Sequence, residues 1–258
     1  ENASGVMLLS PTSDLNEDDA QKLIDYLNRG GRILITTSYT EHFSEEMPNL
    51  TKVLDYFGIS IGDGLIVETD QDMMYQSPLY LLPEVEADGL TAGVFGKTYD
   101  FIMMPYTQPI LIKETEGVTV TPLLSTSQGA YSKTGLNDSG DTKKAEGDLE
   151  GPFAVGVRAQ KALDSEKTAE LIVYSSDMLF TEVSNRYTMD NNLTLFTNAV
   201  SAMGGKEDSI SIPVKSYQAE LVTVPMGSAV RLAVLFMGII PVGSLAAGIV
   251  IWVRRKKR

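Results

Sequence analysis

VMLLSPTSDLNEDDAQKLIDYLNRGGRILITT, running from Val6 to Thr37, is the stretch on which the reading of the fold turns. Val6-Met7-Leu8-Leu9 is a short apolar run stopped by Ser10-Pro11. Asn16 stands where a helix N-cap belongs, and Glu17, Asp18 and Asp19 bring negative charge to the positive end of the helix. Ala20, Leu23, Ile24 and Leu27 recur at helical spacing until Gly30-Gly31 ends the helix. Arg32 to Thr37 then reads as a buried strand. A strand, a helix and a strand joined by tight turns begin a parallel sheet with a right-handed crossover. The expected class is α/β, a mostly parallel sheet flanked by helices.

Beyond Thr37 the pattern loosens. Leu50, Val53, Leu54 and Phe57 give a second amphipathic helix ending at Gly58, and Ile59-Ser60-Ile61 and Leu65-Ile66-Val67 look like strands around Gly62-Asp63-Gly64. Residues 69–98 are rich in turn formers. Short strands follow at Phe101 to Met104, Ile110 to Ile112 and Val118 to Val120, with prolines at their edges or ends. From Ser125 to Gly151 the composition shifts to Ser, Gly, Thr, Asp, Lys and Glu, which predicts a long exposed loop, mobile at about 126–150. Pro152 to Gln160 and Ala169 to Ser175 return as central strands. Asn191 or Asn192 starts a last helix carrying Leu195, Phe196, Ala199, Val200 and Met203, and Ile210 to Val214 is one more extended piece.

The chain closes on LAVLFMGIIPVGSLAAGIVIWV, Leu232 to Val253, followed by Arg254, Arg255, Lys256, Lys257 and Arg258. At about 1.5 Å per residue this uncharged run measures roughly 33 Å, enough for a bilayer core of about 30 Å. Pro241 and the small residues around it suit a membrane helix better than a soluble one. Gly243 with Ala247, and Ser244 with Gly248, form small-xxx-small pairs that permit close helix packing. Terminal cations stay cytoplasmic, so the expected organisation is an extracytoplasmic α/β domain over 1–214 and a juxtamembrane stalk over 215–230. A transmembrane helix over 231–253 and a cytoplasmic basic tail over 254–258 complete it. An N-terminus delivered outside calls for a further segment upstream of Glu1.

Charge and cysteine content narrow the function classes. All 34 acidic residues but only 16 of the 21 basic ones precede residue 232, a formal charge of −18. A surface so acidic does not seek a nucleic-acid backbone. Cysteine is absent, which removes disulfides, thiol nucleophiles and thiolate metal sites.

In an open parallel sheet the natural crevice lies beyond the strand C-termini. Three such ends are polar here, and they supply Ser10, Thr12, Asp14, Ser38, Tyr39, Ser176 and Asp177 as candidate binding residues. Ser, Thr and Asp also serve as plain turn and cap residues at such junctions. A hydrolase reading would pair Ser38 or Ser176 with His42, the single histidine, yet no GxSxG elbow is present. Asp70 and Asp72 could hold calcium but lack the alternation of an EF-hand loop, and neither GxGxxG nor GxxxxGK[ST] occurs. No catalytic residue, metal or cofactor is expected. Asn-x-Ser/Thr triplets at Asn2, Asn49, Asn137 and Asn192 carry no weight, since Asn49 and Asn192 fall at expected helix starts.

Taken together, several segments resemble the extracytoplasmic domain of Gld-type (GldG-like) gliding-motility auxiliary proteins, which are associated with ABC-2 type transporters. They are Leu9 to Leu15 with Ala20 to Gly31, Pro48-Asn49-Leu50, Tyr56 to Ile59, Gly62 to Val67 and Val118 to Ser127. Gly151 to Val155, Tyr174 to Leu179 and Asn191 to Gly204 continue the match, and the basic-tailed helix completes it. The resemblance implies a class I glutamine-amidotransferase-like or flavodoxin-like sheet without the amidotransferase nucleophile. It also implies an ABC-2 type permease and an ABC ATPase as partners. The expected function is a non-catalytic auxiliary subunit anchored in the cell membrane, presenting its domain to the permease, to cargo or to a cell-envelope ligand. Membrane lipid is the remaining partner, packing runs through Gly243, Ser244, Ala247 and Gly248, and ATP hydrolysis belongs to another chain. A stand-alone extracellular binding receptor and a cryptic hydrolase at the strand-end cleft are the alternatives.

Overall fold

A computed structural model of the chain describes residues 3–95, 101–136, 141–164, 167–205 and 226–256. The extended piece at Ile210 to Val214, most of the stalk, the triplets at Asn2 and Asn137 and the boundary at 214 lie outside the described residues.

The opening unit forms as read. Strand β1 (Val6–Leu9), helix α1 (Glu17–Leu27) and strand β2 (Arg32–Thr36) follow one another, and β1 pairs with β2 in parallel. The side chain of Asn16 accepts from the Asp19 backbone N–H at 2.8 Å, a cap made as its position predicts. Short helices α2 (Phe43–Glu46) and α3 (Pro48–Asp55) come next, then eleven strands. These are β3 (Ile59–Ile61), β4 (Leu65–Val67), β5 (Met74–Tyr75), β6 (Ser77–Leu81), β7 (Glu84–Val85) and β8 (Met104–Pro105). After them come β9 (Ile110–Ile112), β10 (Val118–Ser125), β11 (Tyr131–Lys133), β12 (Leu149–Glu150) and β13 (Ala154–Ala162). Strand β14 (Thr168–Tyr174) and helices α4 (Glu182–Tyr187) and α5 (Asn191–Met203) close the domain.

The main sheet runs β1-β2-β14-β13-β10-β7, with β9 paired to β13 and β3 to β9. Only β1 with β2 and β2 with β14 are parallel; the other pairings are antiparallel. Two further antiparallel sheets, β12-β11-β4 and β5-β6-β8, flank it. The expectation of a mostly parallel, amidotransferase-like or flavodoxin-like sheet is therefore wrong. The reason lies in the connections. A parallel pair needs a crossover of a dozen or more residues, usually a helix, whereas antiparallel strands need only a short turn. Among the described residues no α-helix lies between Asp55 and Glu182, so the strands of that stretch return antiparallel. The segment from Ser125 to Gly151 itself contributes β11 and β12 to one of the small sheets.

Burial follows the strand alternation. Ile33, Ile35, Leu171 and Val173 face α1 and α3, where Ala20, Leu27, Leu50 and Leu54 meet them. Leu34, Ile172 and Tyr174 face the other way, onto Leu195, Ala199 and Ala202 of α5. The centre of the sheet is thus covered by helices on both sides, which is why β2 and β14 read as almost continuous apolar runs. At one end of the α5 face four side chains alternate in charge. Glu170 on β14 takes both Arg32 of β2 and Arg158 of β13, and Arg158 also reaches Asp88. Arg32 further donates to the Ala202 carbonyl at 3.0 Å, binding a cation to the negative end of α5.

The C-terminal stretch is one continuous helix, Gly227–Lys256, and its apolar window is wholly unburied. It comprises α6 (Met226–Ala233), a π-helical turn at Val234–Ile239 and α7 (Ile240–Lys256). Pro241 explains the widened turn: it has no N–H to offer the preceding turn and its ring crowds a carbonyl there, which a local i→i+5 pattern relieves.

Candidate functional site

The expected strand-end residues do not form one cleft. Ser10 and Ser38 come together at the ends of β1 and β2. The Ser10 hydroxyl meets Thr36 Oγ1 at 2.8 Å, and Ser38 Oγ donates to the Ser10 carbonyl at 3.5 Å. Ser10 has φ +50°, an uncommon conformation for a residue other than glycine. Ser176 lies beyond the end of β14, almost fully buried, and its hydroxyl donates to the Pro105 carbonyl at 2.6 Å. Thr12 and Asp177 are exposed. Asp14 is engaged elsewhere: its carboxylate accepts from the Asn49 and Leu50 backbone N–H groups, both at 3.0 Å, and so caps α3 from a distance in sequence.

What separates these residues is the chain itself. Residues 104–109 fill the crevice beyond β2 and β14. Gln108, almost fully buried, accepts from the Thr40 N–H at 2.9 Å and donates to the carbonyls of Thr40 and Gly62. Its own carbonyl receives the Ser175 hydroxyl at 2.7 Å. Sequence reasoning missed Gln108, for nothing local marks a glutamine as a plug. It also missed Glu68, a buried carboxylate bonded by the N–H groups of Thr69, Asp70 and Ser127 and by the Ser127 hydroxyl. Glu68 thereby ties the end of β4 to the turn that leads into β11.

Two open clefts remain beside β9. One, of about 580 Å³, is lined by hydroxyls and acids, among them Ser44, Asp63, Ser132, Thr134, Glu146 and Asp148. The other, of about 640 Å³, has Leu111, Ile112, Pro152 and Phe153 in its wall beside Ser125, Thr126 and Glu150. Leu111 borders both.

His42 sits at the rim of the polar cleft. Its Nδ1 lies 3.3 Å from Asp63 Oδ2, and that bond raises its pKa above the ordinary value. None of Ser10, Ser38 and Ser176 bonds it. Tyr39 leans across β4 and β11 and donates its phenol to Glu41 at 2.8 Å. That bond and the Gly135 N–H hold the Glu41 carboxyl below the usual range, the Gly135 contact being the stronger influence.

A third constellation joins the domain to its terminal helix. The Gly227 N–H donates to the Gln71 carbonyl at 3.1 Å. One turn later an Arg231 nitrogen reaches both oxygens of Asp72, at 2.8 and 2.9 Å. A Cβ on Gly227 would fall 2.4 Å from Asp72 Oδ1, so a larger residue there would have to push the Asp72 carboxylate aside. Asp70 and Asp72 are used here rather than as a cation pair: Asp70 Oδ1 accepts the Asp72 N–H at 2.9 Å. Arg231 marks the last charge before the apolar run, the one signal in the sequence that pointed to this joint. On the helix beyond, Ser244 and Gly248 floor a groove walled by Leu245, Ile249 and Trp252, and the Ser244 hydroxyl is turned inward to the Ile240 carbonyl at 2.9 Å.

Comparison with known proteins adds two findings. Residues 1–199 match the family model described as ABC-type uncharacterized transport system. The solved structure titled mmIFT52 N-terminal domain superposes with a TM-score of 0.54 at 14% identity, covering 81% of this chain and 79% of that one. So low an identity speaks for a shared fold alone. No curated protein matches the chain.

Proposed function

Because the chain belongs to the ABC-type uncharacterized transport system family, we propose that it is a non-catalytic auxiliary subunit of an ABC-2 type transporter, held in the cell membrane by its last helix. The observation that carries this reading is the helix Gly227–Lys256, long enough to cross a bilayer and wholly unburied along its apolar window. Its side chains need lipid or another membrane helix around them. The domain stands outside the cell and the basic end inside, as the five terminal cations favour. ATP hydrolysis is supplied by a partner ATPase, since this chain carries neither phosphate-binding motif. A role as in Gld-type gliding proteins is one form this subunit function takes.

Packing on the permease runs through Gly243, Ser244, Ala247 and Gly248. A Cβ added to Gly243 or Gly248 meets nothing within 4 Å among the described residues, so substitution there costs this chain nothing internally. Affinity purification of the tagged native protein from mild detergent is expected to bring down a permease and an ATPase. Gly243→Leu and Ala247→Leu are expected to insert normally and to lose those partners. A wild-type preparation containing neither partner refutes the proposal; mutants that keep both reduce the helix to a tether. The polar cleft beside His42 favours a second reading, a binding receptor for a polar envelope ligand. Such a receptor would purify alone and bind its ligand without any permease.

A further inference from the structure

The terminal helix is rooted in the domain rather than strung from it, and the root fixes which part of the domain meets the membrane. Gln71 holds the first turn at Gly227, and Asp72 holds Arg231 one turn further toward the bilayer. The step from Gln71 to Asp72 therefore descends along the helix toward the membrane. Arg231 is the last charged residue before the uncharged run begins at Leu232. Asp72, bonded to it, stands at the level where hydrocarbon gives way to headgroups.

Strand β5 begins two residues later. Three residues of chain reach at most about 10 Å, so Tyr75 lies within about that distance of Asp72. It is the first of four half-exposed or exposed tyrosines on this side. Its ring lies 5.2 Å from that of Tyr187 on α4. Tyr80, on the adjacent strand, packs edge-on to Tyr106 at 5.5 Å, and the two phenol oxygens lie 3.3 Å apart. Tyr106, at φ +51°, follows β8 directly and is 37% exposed. Inward, Leu81 and Met104 are buried in the core, so the small sheet turns apolar side chains to the domain and phenols outward. A cluster of tyrosines beside a membrane helix has the chemistry of an interfacial belt: the ring enters the acyl boundary and the hydroxyl stays among headgroups.

We propose that the β5-β6-β8 sheet rests in the headgroup layer of the bilayer, through Tyr75, Tyr80, Tyr106 and Tyr187, and is kept there by the Asp72–Arg231 joint. The proposal rests on the membrane-spanning reading of the helix and needs no transporter. The occupant of this surface is zwitterionic lipid, because the domain's net negative charge gives no attraction to anionic headgroups.

The absence of cysteine makes the test direct. Nitroxide labels are placed singly at Tyr75→Cys, Tyr106→Cys and, as an aqueous control on the opposite face of the main sheet, Lys22→Cys. The full chain is reconstituted in phosphatidylcholine bilayers. Labels at 75 and 106 are expected to lose collisions with a water-soluble nickel reagent and gain them with oxygen, while the label at 22 stays aqueous. Quenching of Trp252, the single tryptophan, by brominated lipid reports independently that the helix is inserted. An aqueous reading at 75 and 106 with Trp252 quenched overturns the proposal; loss of Trp252 quenching overturns the spanning reading instead. Asp72→Asn, checked for folding by circular dichroism, is expected to return both labels to water without changing Trp252. Unchanged labels in that variant overturn the part assigned to the joint.

Discussion

At the level of single residues, the sharpest expectation concerns His42. Its bond to Asp63 favours the imidazolium, so its pKa in the folded protein lies above its unfolded value. A group raised on folding contributes stability in full below its unfolded pKa, about 6.5, and loses that contribution as pH rises through the folded value. As the only histidine, its ring protons can be followed by NMR without assignment. The titration midpoint is expected above the ordinary histidine value in the wild type and lower in Asp63→Asn, where only the weaker pull of Glu45 and Glu41 remains; equal midpoints would show that the pair does not form in solution. Other residues were less legible. Asn16 announced its cap because its partner, Asp19, stands three positions away. Glu68, Gln108 and Glu170 did not, because each is tied across the fold: Glu68 to Ser127, 59 residues off, Gln108 to Gly62 and Ser175, 46 and 67 residues off, and Glu170 to Arg32 and Arg158 on separate strands. Such residues look like any exposed polar position until the sheet is assembled.

At the level of elements, the sequence speaks clearly where a periodic run is long and weakly where runs are short. α1, α3, α5 and the long apolar terminal helix were visible from the pattern of apolar residues, and so was the parallel start of the sheet. Short apolar runs such as Ile59–Ile61 and Ile110–Ile112 showed themselves as strands, but three residues carry no sign of direction, and β3 and β9 proved antiparallel. The missing information lay in the connections, where the lack of helices should have outweighed the opening unit. Helix α3 offers a test of long-range capping. Asp14 satisfies two N–H groups of its first turn, and Met47 at the cap position supplies no side-chain bond. Removing a capping carboxylate typically costs about 1–2 kcal/mol, which in a domain of this size lowers Tm by roughly 2–8 °C. Asp14→Ala is expected to fall in that range by calorimetry, whereas Ser13→Ala, on an exposed neighbour, should leave Tm unchanged. Equal effects would mean that α3 does not depend on the cap.

On the scale of the whole molecule, the long apolar terminal helix and the family resemblance were legible in the sequence, and the arrangement of the candidate site was not. A crevice expected open is occupied by residues 104–109, and the polar strand ends mostly serve the fold. Among the described residues the open surface includes two clefts beside β9, the tyrosine face and the apolar terminal helix. The rooted helix then has a mechanical consequence. An apolar run of roughly 33 Å in a hydrocarbon layer of about 30 Å is accommodated partly by tilt, and a thinner bilayer demands more of it. A freely hung domain would ignore that change, but one fastened at Gln71 and Asp72 must lean with its helix. Across a body roughly 40 Å wide, by size scaling, a lean of about 10° raises the far edge by about 7 Å. Energy transfer from a dye at position 22 to acceptors in the bilayer is expected to vary with acyl-chain length, and to stop varying in Asp72→Asn. A wild type indifferent to chain length would mean that the joint yields. If it holds, the domain works as a lever whose angle is set by the thickness of the membrane beneath it.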